Sequence, residues 1–232
     1  NYEPYSIEAK NLSNELTASY EGEMVNIPCI INGVENRHFR VDDATHFMPS
    51  NKNKTRYLYS PPDEDAVEAA IEGSLKVREE WAALPYIERA SVFWKAADLL
   101  ATKYKYQMIS HMMLDMAKNV WQAEIDFGEA VDFWKFNAKI GEEIHRQQPK
   151  YHAPHTFNSI RCRPLDGFVT AISPFNFLAI STNLPSAPAL MGNAVLWKPA
   201  PQNLRSSYLA YKILKEAGLP EFGRTYLYDG MS

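Results

Sequence analysis

The chain has 232 residues, 46% of them hydrophobic, which is longer than one average domain and enough to build a buried core. Its 24 Lys and Arg against 28 Asp and Glu give a net charge of −4, with no basic stripe to neutralise a phosphate backbone, so nucleic acid is not an expected partner. The longest apolar runs are broken by Lys, Asp or Pro well short of the roughly 20 residues a membrane span needs, and no span is expected.

Two cysteines, Cys29 and Cys162, are too few for a disulfide framework and form no CxxC pair, so a reducing compartment is the plain reading. Residues 1–16 are neither Arg-rich nor apolar, and no targeting segment is visible in them. In residues 24–42, Ile27, Ile30, Ile31 and Val34 surround Asn32-Gly33, a strong hairpin dipeptide, and short antiparallel strands are predicted. Ser60-Pro61-Pro62-Asp63 then suits a helix start. Val67, Ile71 and Leu75 follow at a spacing of four, and Pro85 stops the helix after Leu84. A second helix is expected from about Glu88 through Met112, its core-facing stripe carried by Val92, Ala96, Leu99, Leu100, Tyr104 and Met108.

The third helical stretch, residues 119–146, carries a stripe of Trp121, Ile125, Glu129, Phe133, Phe136, Ile140 and Ile144. Glu129 is its one polar member. A carboxylate within an apolar stripe must be paired, protonated or open to a cavity, because burying an unpaired charge costs several kcal/mol or more. Glu129 is therefore a candidate site residue, or else the partner of a Lys or Arg on a neighbouring helix. Residues 151–158 turn to His, Pro, Thr and Asn and read as a connection. His152 and His155 have no Cys, Asp or Glu at ligand spacing, so they read as exposed loop residues and no metal is expected.

From there the elements alternate. Strands are predicted at 159–164 and 167–173, the second as an apolar run buried on both faces, then a turn at 174–176 and a helix at 183–191. A strand at 194–198, a helix at 202–217 closed by Gly218 and a strand at 225–228 complete a β-α-β-α-β series. This is the start of a doubly wound parallel sheet, in which ligands sit beyond the carboxyl ends of the strands. Asn176 and Lys198 both fall there. Asn176 offers a neutral amide on a tight turn, the kind of fixed donor an oxyanion hole uses, or is simply a turn former. Lys198 is placed to meet a ribose hydroxyl or a phosphate, or is a snorkelling Lys before a Pro. No GxGxxG or Walker motif accompanies them.

The runs Ser173-Pro174-Phe175-Asn176-Phe177, Asn183-Leu184-Pro185 and the unbroken Ala187-Pro188-Ala189-Leu190-Met191-Gly192-Asn193-Ala194-Val195-Leu196-Trp197-Lys198-Pro199 resemble the aldehyde dehydrogenase superfamily. Within it they are most similar to the delta-1-pyrroline-5-carboxylate dehydrogenases. Asn119-Val120-Trp121-Gln122-Ala123-Glu124-Ile125-Asp126, Asp132-Phe133, Gln147-Gln148-Pro149 and Arg163-Pro164-Leu165-Asp166-Gly167-Phe168 support the likeness, which runs from about residue 27 to 218.

The resemblance implies an α/β, aldehyde-dehydrogenase-like fold: an N-terminal hairpin and a helical region followed by the start of a doubly wound, Rossmann-type parallel sheet. The regions expected are an extension and hairpin at 1–60, a helical region of the cofactor-binding domain at 61–150, and an incomplete NAD-binding sheet at 151–232. It implies NAD-dependent oxidation of L-glutamate gamma-semialdehyde to L-glutamate in the mitochondrial matrix, through attack of a Cys thiolate on the aldehyde, hydride loss to NAD and Glu-assisted hydrolysis of the thioester. Carried across, Asn176 matches the oxyanion-stabilising Asn, Lys198 the ribose-binding Lys, Ser173 a backbone contact to NAD, and Glu129 and Phe177 residues that line the aldehyde site.

Three departures accompany the likeness. Asp115-Met116-Ala117-Lys118 stands where the family usually has Gly-Gln-x-Lys, Ser181-Thr182 replaces a usual Gly-Gly whose loss is expected to crowd the cofactor turn, and one residue is missing between Asp126 and Asp132. Neither Cys29 nor Cys162 matches the nucleophile, and the resemblance puts that Cys and the water-activating Glu beyond Ser232.

Two readings follow: part of a working dehydrogenase, with a small aldehyde substrate and a homo-oligomeric full-length form, or a truncated, inactive relative serving as an interaction subunit. An unrelated Rossmann-type module has little support. The sheet edge beyond residues 225–228 is expected to be covered by further chain or by a partner, since it would leave unpaired backbone and apolar faces at Ile172, Val195 and Leu227.

Overall fold

A computed structural model of the chain describes residues 2–36 and 44–220 together with the backbone of 224–226. Helix α1 (Ile7–Glu21) opens it, capped by the Ser6 hydroxyl on the Ala9 amide at 3.1 Å. Strands β1 (Val25–Ile27), β2 (Cys29–Ile31), β3 (Val34–Asn36), β4 (Ala44–Met48) and β5 (Asn51–Tyr59) follow. The β2–β3 hairpin turns where Asn-Gly predicts it, with Asn32 at φ 53° and Gly33 at φ 79°. Expectations for residues 37–43 lie outside the described residues.

Helix α2 (Glu64–Ala83) starts at Asp63, whose carboxylate accepts from the Ala66 amide at 2.8 Å, and ends before Pro85 as the sequence predicts. The single helix expected from Glu88 to Met112 is two: α3 (Tyr86–Ala101) and α4 (Lys105–Asp115), broken at residues 102–104. Their apolar stripe runs on across the break, so periodicity alone does not reveal it. Helix α5 (Val120–Arg146) opens with a capping box in which Asn119 and Gln122 each bond the other's backbone amide.

Two sheets result. One has the order β1-β5-β4. The other has the order β3-β2-β8-β7-β6, with β6 (Phe168–Ile172), β7 (Ala194–Lys198) and β8 (Arg224–Tyr226) parallel. Helix α6 (Leu178–Leu190) joins β6 to β7, and α7 (Leu204–Ala217), entered through a 3-10 turn at Pro201–Asn203, joins β7 to β8. Gly218 closes α7 in the left-handed region at φ 112°. These are the two crossover units of a parallel sheet.

Several expectations are corrected by this arrangement. Residues 159–164 form no strand and are exposed as far as Arg163, with Pro164 half-buried. Strand β6 buries only Ala171 and exposes Ile172, because it lies at the end of the sheet; the strand buried on both faces is β7, in which Val195 is fully covered. The far side of β8 is paired within the chain: β2 lies antiparallel to it, Ile30 opposite Tyr226. The hairpin that carries β2 is fastened by the Tyr208 hydroxyl on Glu35 at 2.7 Å and by the Asn32 side chain on the Ala69 carbonyl at 3.3 Å. A Cβ on Gly73 would overlap that Asn32 side chain at 1.6 Å, so helix α2 approaches the turn as closely as a glycine permits. Leu227 lies outside the described residues.

The face of α5 is also reversed. Its buried residues are Ala123, Asp126, Phe127, Ala130, Trp134, Ala138 and Gly141, whereas Trp121, Ile125, Glu129, Phe136, Ile140 and Ile144 are exposed. Small residues let α3 and α6 come close on the buried side; at Gly141 a Cβ would stand 2.1 Å from the Tyr86 hydroxyl. Hydrophobicity alone marks the bulkier side as core. Here Trp121, Ile125, Phe136, Ile140 and Ile144 face outward while Phe127 and Trp134 are buried among small residues, and the carboxylate buried in α5 is Asp126, at 0% exposure, not Glu129.

Candidate active site

The turn at residues 173–177 leaves the carboxyl end of β6 and enters α6, and both of its ends are anchored. On the strand side, Ile172 pairs with Lys198, and the Ser173 amide donates to the Lys198 carbonyl at 3.0 Å. The buried Ser173 hydroxyl accepts from the Trp197 indole at 2.6 Å and donates to the Ser181 carbonyl at 3.1 Å. That carbonyl is the one Pro185, four residues on and lacking an N–H, cannot satisfy. Asn203 holds the Pro174 carbonyl at 3.0 Å. On the helix side, Phe177 gives α6 no side-chain cap; instead the Leu178 and Ala179 amides donate to the two carboxylate oxygens of Asp126, each at 2.8 Å. Lys118 completes that clamp, its ammonium 2.6 Å from Asp126 and 4.3 Å from the Phe177 ring centroid.

The other end of α6 is closed as firmly. Trp81 donates to the Ala189 carbonyl at 2.8 Å, Arg89 to the Leu190 carbonyl at 3.0 Å, and Asn193 to the Pro188 carbonyl at 2.8 Å. A helix with two internal prolines is thus held by side chains from three other segments.

Between the anchors, Asn176 is exposed and lines a cavity of about 580 Å³ with Phe175, Phe177, Lys118, Trp121 and Ile125 among its walls. Lys198 is half-buried at the end of β7, so the structure brings Ser173, Asn176, Phe177 and Lys198 to one edge of the parallel pair. Glu129 is not among the residues of that wall; it stands exposed on α5, one turn beyond Ile125. Ser181 and Thr182 do not crowd the turn. Both are buried and bond inward, Ser181 to the Ser207 hydroxyl at 3.1 Å and Thr182 to the Leu178 carbonyl at 3.0 Å.

Sequence reasoning missed a buried polar group beside the cavity. Arg56 donates to Asp115 at 2.5 Å and to the Ser19 carbonyl, while the His46 ring meets the Asp115 carbonyl oxygen at 3.0 Å and stacks on Tyr57. Burial pushes the Asp115 carboxyl above the usual carboxylate range, and Arg56 opposes that shift. Burial likewise lowers His46 and takes the enclosed His111 well below an ordinary histidine. Asp115 at a family Gly position was the visible signal, but its partner on β5 lies 59 residues away in sequence. The loop histidine His152 accepts from the Asn158 amide at 2.9 Å and stacks on Phe157. Cys29 is buried in β2 and Cys162 is exposed, and neither is in a disulfide among the described residues.

Parallel strands joined by crossover helices, with Asn176 on the turn after one strand and Lys198 at the end of the next, are the arrangement of a doubly wound α/β domain, in which ligands sit beyond the carboxyl ends of the strands. The family model described as "Aldehyde dehydrogenase family" matches residues 42–223, and the chain belongs to that family. It is 44% identical over 221 residues to the mitochondrial delta-1-pyrroline-5-carboxylate dehydrogenase of Dictyostelium discoideum, covering 95% of this chain and 39% of that protein. The mitochondrial enzyme of the same name from Homo sapiens is 43% identical over 201 residues, 86% of this chain and 35% of that protein. The crystal structure of the Mycobacterium tuberculosis delta-pyrroline-5-carboxylate dehydrogenase bound with NAD superposes with a TM-score of 0.94 at 39% identity, over 99% of this chain and 43% of that one. The chain therefore spans about two-fifths of the length of these relatives.

Proposed function

We propose that the chain is part of an NAD-dependent dehydrogenase that oxidises L-glutamate gamma-semialdehyde, the open form of delta-1-pyrroline-5-carboxylate, to L-glutamate in proline breakdown. The observation that carries this reading is the pair formed at one sheet edge by Asn176, on a turn anchored at both ends, and Lys198, at the end of the adjacent parallel strand. The names of the relatives support the substrate, and the NAD-bound structural neighbour supports the cofactor.

The residues present fit NAD. Lys198 is a half-buried cation at the carboxyl end of β7, where a ribose is held in such sheets. The Ser173 amide and hydroxyl are committed within the protein, so its contact to the cofactor runs through the main-chain carbonyl. NAD, when bound, supplies the hydride acceptor. Asn176 donates to the aldehyde oxygen as negative charge develops on it and Phe177 walls the aldehyde, while Glu129, which stands exposed on α5 outside the cavity wall, is assigned to the aldehyde site on the family resemblance alone. We assign the extension and hairpin to residues 1–60, the helical region to 61–150 and the NAD-binding sheet to 151–232, and a mitochondrial matrix location on the names of the relatives.

The test is NADH formation from glutamate semialdehyde by the full-length protein, set beside the 232-residue chain alone. The full-length protein is expected to turn over and the chain alone to be silent, since neither of its cysteines matches the nucleophile. An inactive full-length protein would favour the truncated, structural reading. Lys198→Ala is expected to raise the Kd for NAD while leaving the aldehyde KM nearly unchanged; equal effects on both would remove Lys198 from the cofactor site.

A further inference from the structure

We propose that Asp126 and Lys118 are positioning residues for the oxyanion donor: together they fix the turn that aims the Asn176 carboxamide. The proposal rests on the dehydrogenase reading above and adds to it two residues that act through the turn: Asp126, which is fully buried, and Lys118, which also lies in the cavity wall.

An oxyanion donor contributes only if it is held in place before the reaction, because its advantage is the reorganisation it avoids. Asn176 cannot be held by packing of its own side chain, which is exposed. Its placement is inherited from the backbone on either side. Upstream, Ser173 and Pro174 are bound to β7 and to Asn203. Downstream, the first two amides of α6, two and three residues past Asn176, rest on Asp126, with no cap from α6 itself. One carboxylate thus satisfies two helix-end donors from a different helix, and its negative charge faces the positive end of α6. A fully buried carboxylate needs a counter-charge, which Lys118 supplies; its side chain is only 11% exposed.

The same ammonium lies over the Phe177 ring, so one cation steadies both the carboxylate that holds the helix start and the residue next to Asn176. Lys118 is delivered to this point by a sharp turn between α4 and α5, where Ala117 takes the left-handed conformation at φ 56° and Asn119 begins the capping box. The strain of a non-glycine residue there is consistent with a position held by its surroundings.

The test has two arms. In the first, backbone hydrogen exchange is measured by NMR on the 232-residue chain and its Lys118→Met variant. Exchange at Leu178 and Ala179 is expected to rise at least tenfold, while the buried α3 amides of Ala96 and Leu100 keep their protection. In the second arm, Lys118→Met in the full-length enzyme is expected to lower kcat by up to about a hundredfold, the cost of misplacing a reacting group by an ångström, with KM changed much less. Lys118→Arg, which keeps the charge and also stacks on an aromatic ring, is expected to restore most of kcat. Asp126→Asn, of equal size, repeats the kcat loss should Lys118→Met not fold.

Unchanged exchange at Leu178 and Ala179 overturns the clamp. So does a full-length variant whose kcat is intact, or one whose kcat, KM and melting temperature all fall together with no rescue by Arg. An unmutated full-length protein without aldehyde oxidation sinks the functional reading instead, and the exchange arm then decides whether the clamp exists.

Discussion

Asn176→Ala in the full-length protein is expected to lower turnover by roughly a hundredfold to a thousandfold, the range measured when one oxyanion donor is removed. The effect should fall on kcat, since the carboxamide serves the charged intermediate more than the bound aldehyde. Folding should hardly change. Asn176 is exposed, and a surface substitution away from a structural feature stays within about 0.5 kcal/mol. Steady-state NADH formation and a thermal melt read the two quantities separately. Turnover equal to that of the unmutated enzyme would refute the role of Asn176, and a lowered melting temperature would move it from donor to turn former.

The largest expected loss of stability follows from Asp115→Ala. The Arg56 and Asp115 side chains are 1% and 0% exposed, and at 2.5 Å they form a buried ion pair between β5 and the end of α4. Removing the carboxylate leaves a guanidinium in the interior with the Ser19 carbonyl still accepting from it but no counter-charge at Asp115. Breaking such a pair from one side costs about 3–5 kcal/mol. For a chain of this size that is a fall of about 6–20 °C in melting temperature, readable by calorimetry or circular dichroism. Replacing both partners together, Arg56→Met with Asp115→Leu, should cost much less than Asp115→Ala, because no buried charge is left unpaired. Equal losses in the single and double variants would show that packing, not charge, dominates at this position.

Legibility in the sequence followed the range of the interaction that decides each feature. The Asn32-Gly33 hairpin, the helix start at Asp63, the Gly218 stop and the β-α-β-α-β series were readable because each depends on residues a few positions apart. The motif around Asn176 and Lys198 was readable for the same reason. The interruption between α3 and α4 was not, since their apolar repeat continues across it. Nor was the outward face of α5: apolar content marks one stripe and burial takes another, in which Ala123, Ala130, Ala138 and Gly141 let α3 and α6 approach closely around Phe127 and Trp134.

The sequence by itself determined the class of fold, the family, the turn that bears Asn176 and the strand that ends in Lys198. Tertiary structure alone decided which carboxylate is buried, that Asp126 and not α6 supplies the cap of α6, that Ser173 takes the carbonyl left by Pro185, and that β2 rather than a partner covers β8. These are contacts between residues 8 to 196 positions apart, made where helix ends and strand edges leave donors and acceptors unpaired. Buried backbone groups must find partners somewhere, and only the packed chain settles which side chain or strand lies within reach.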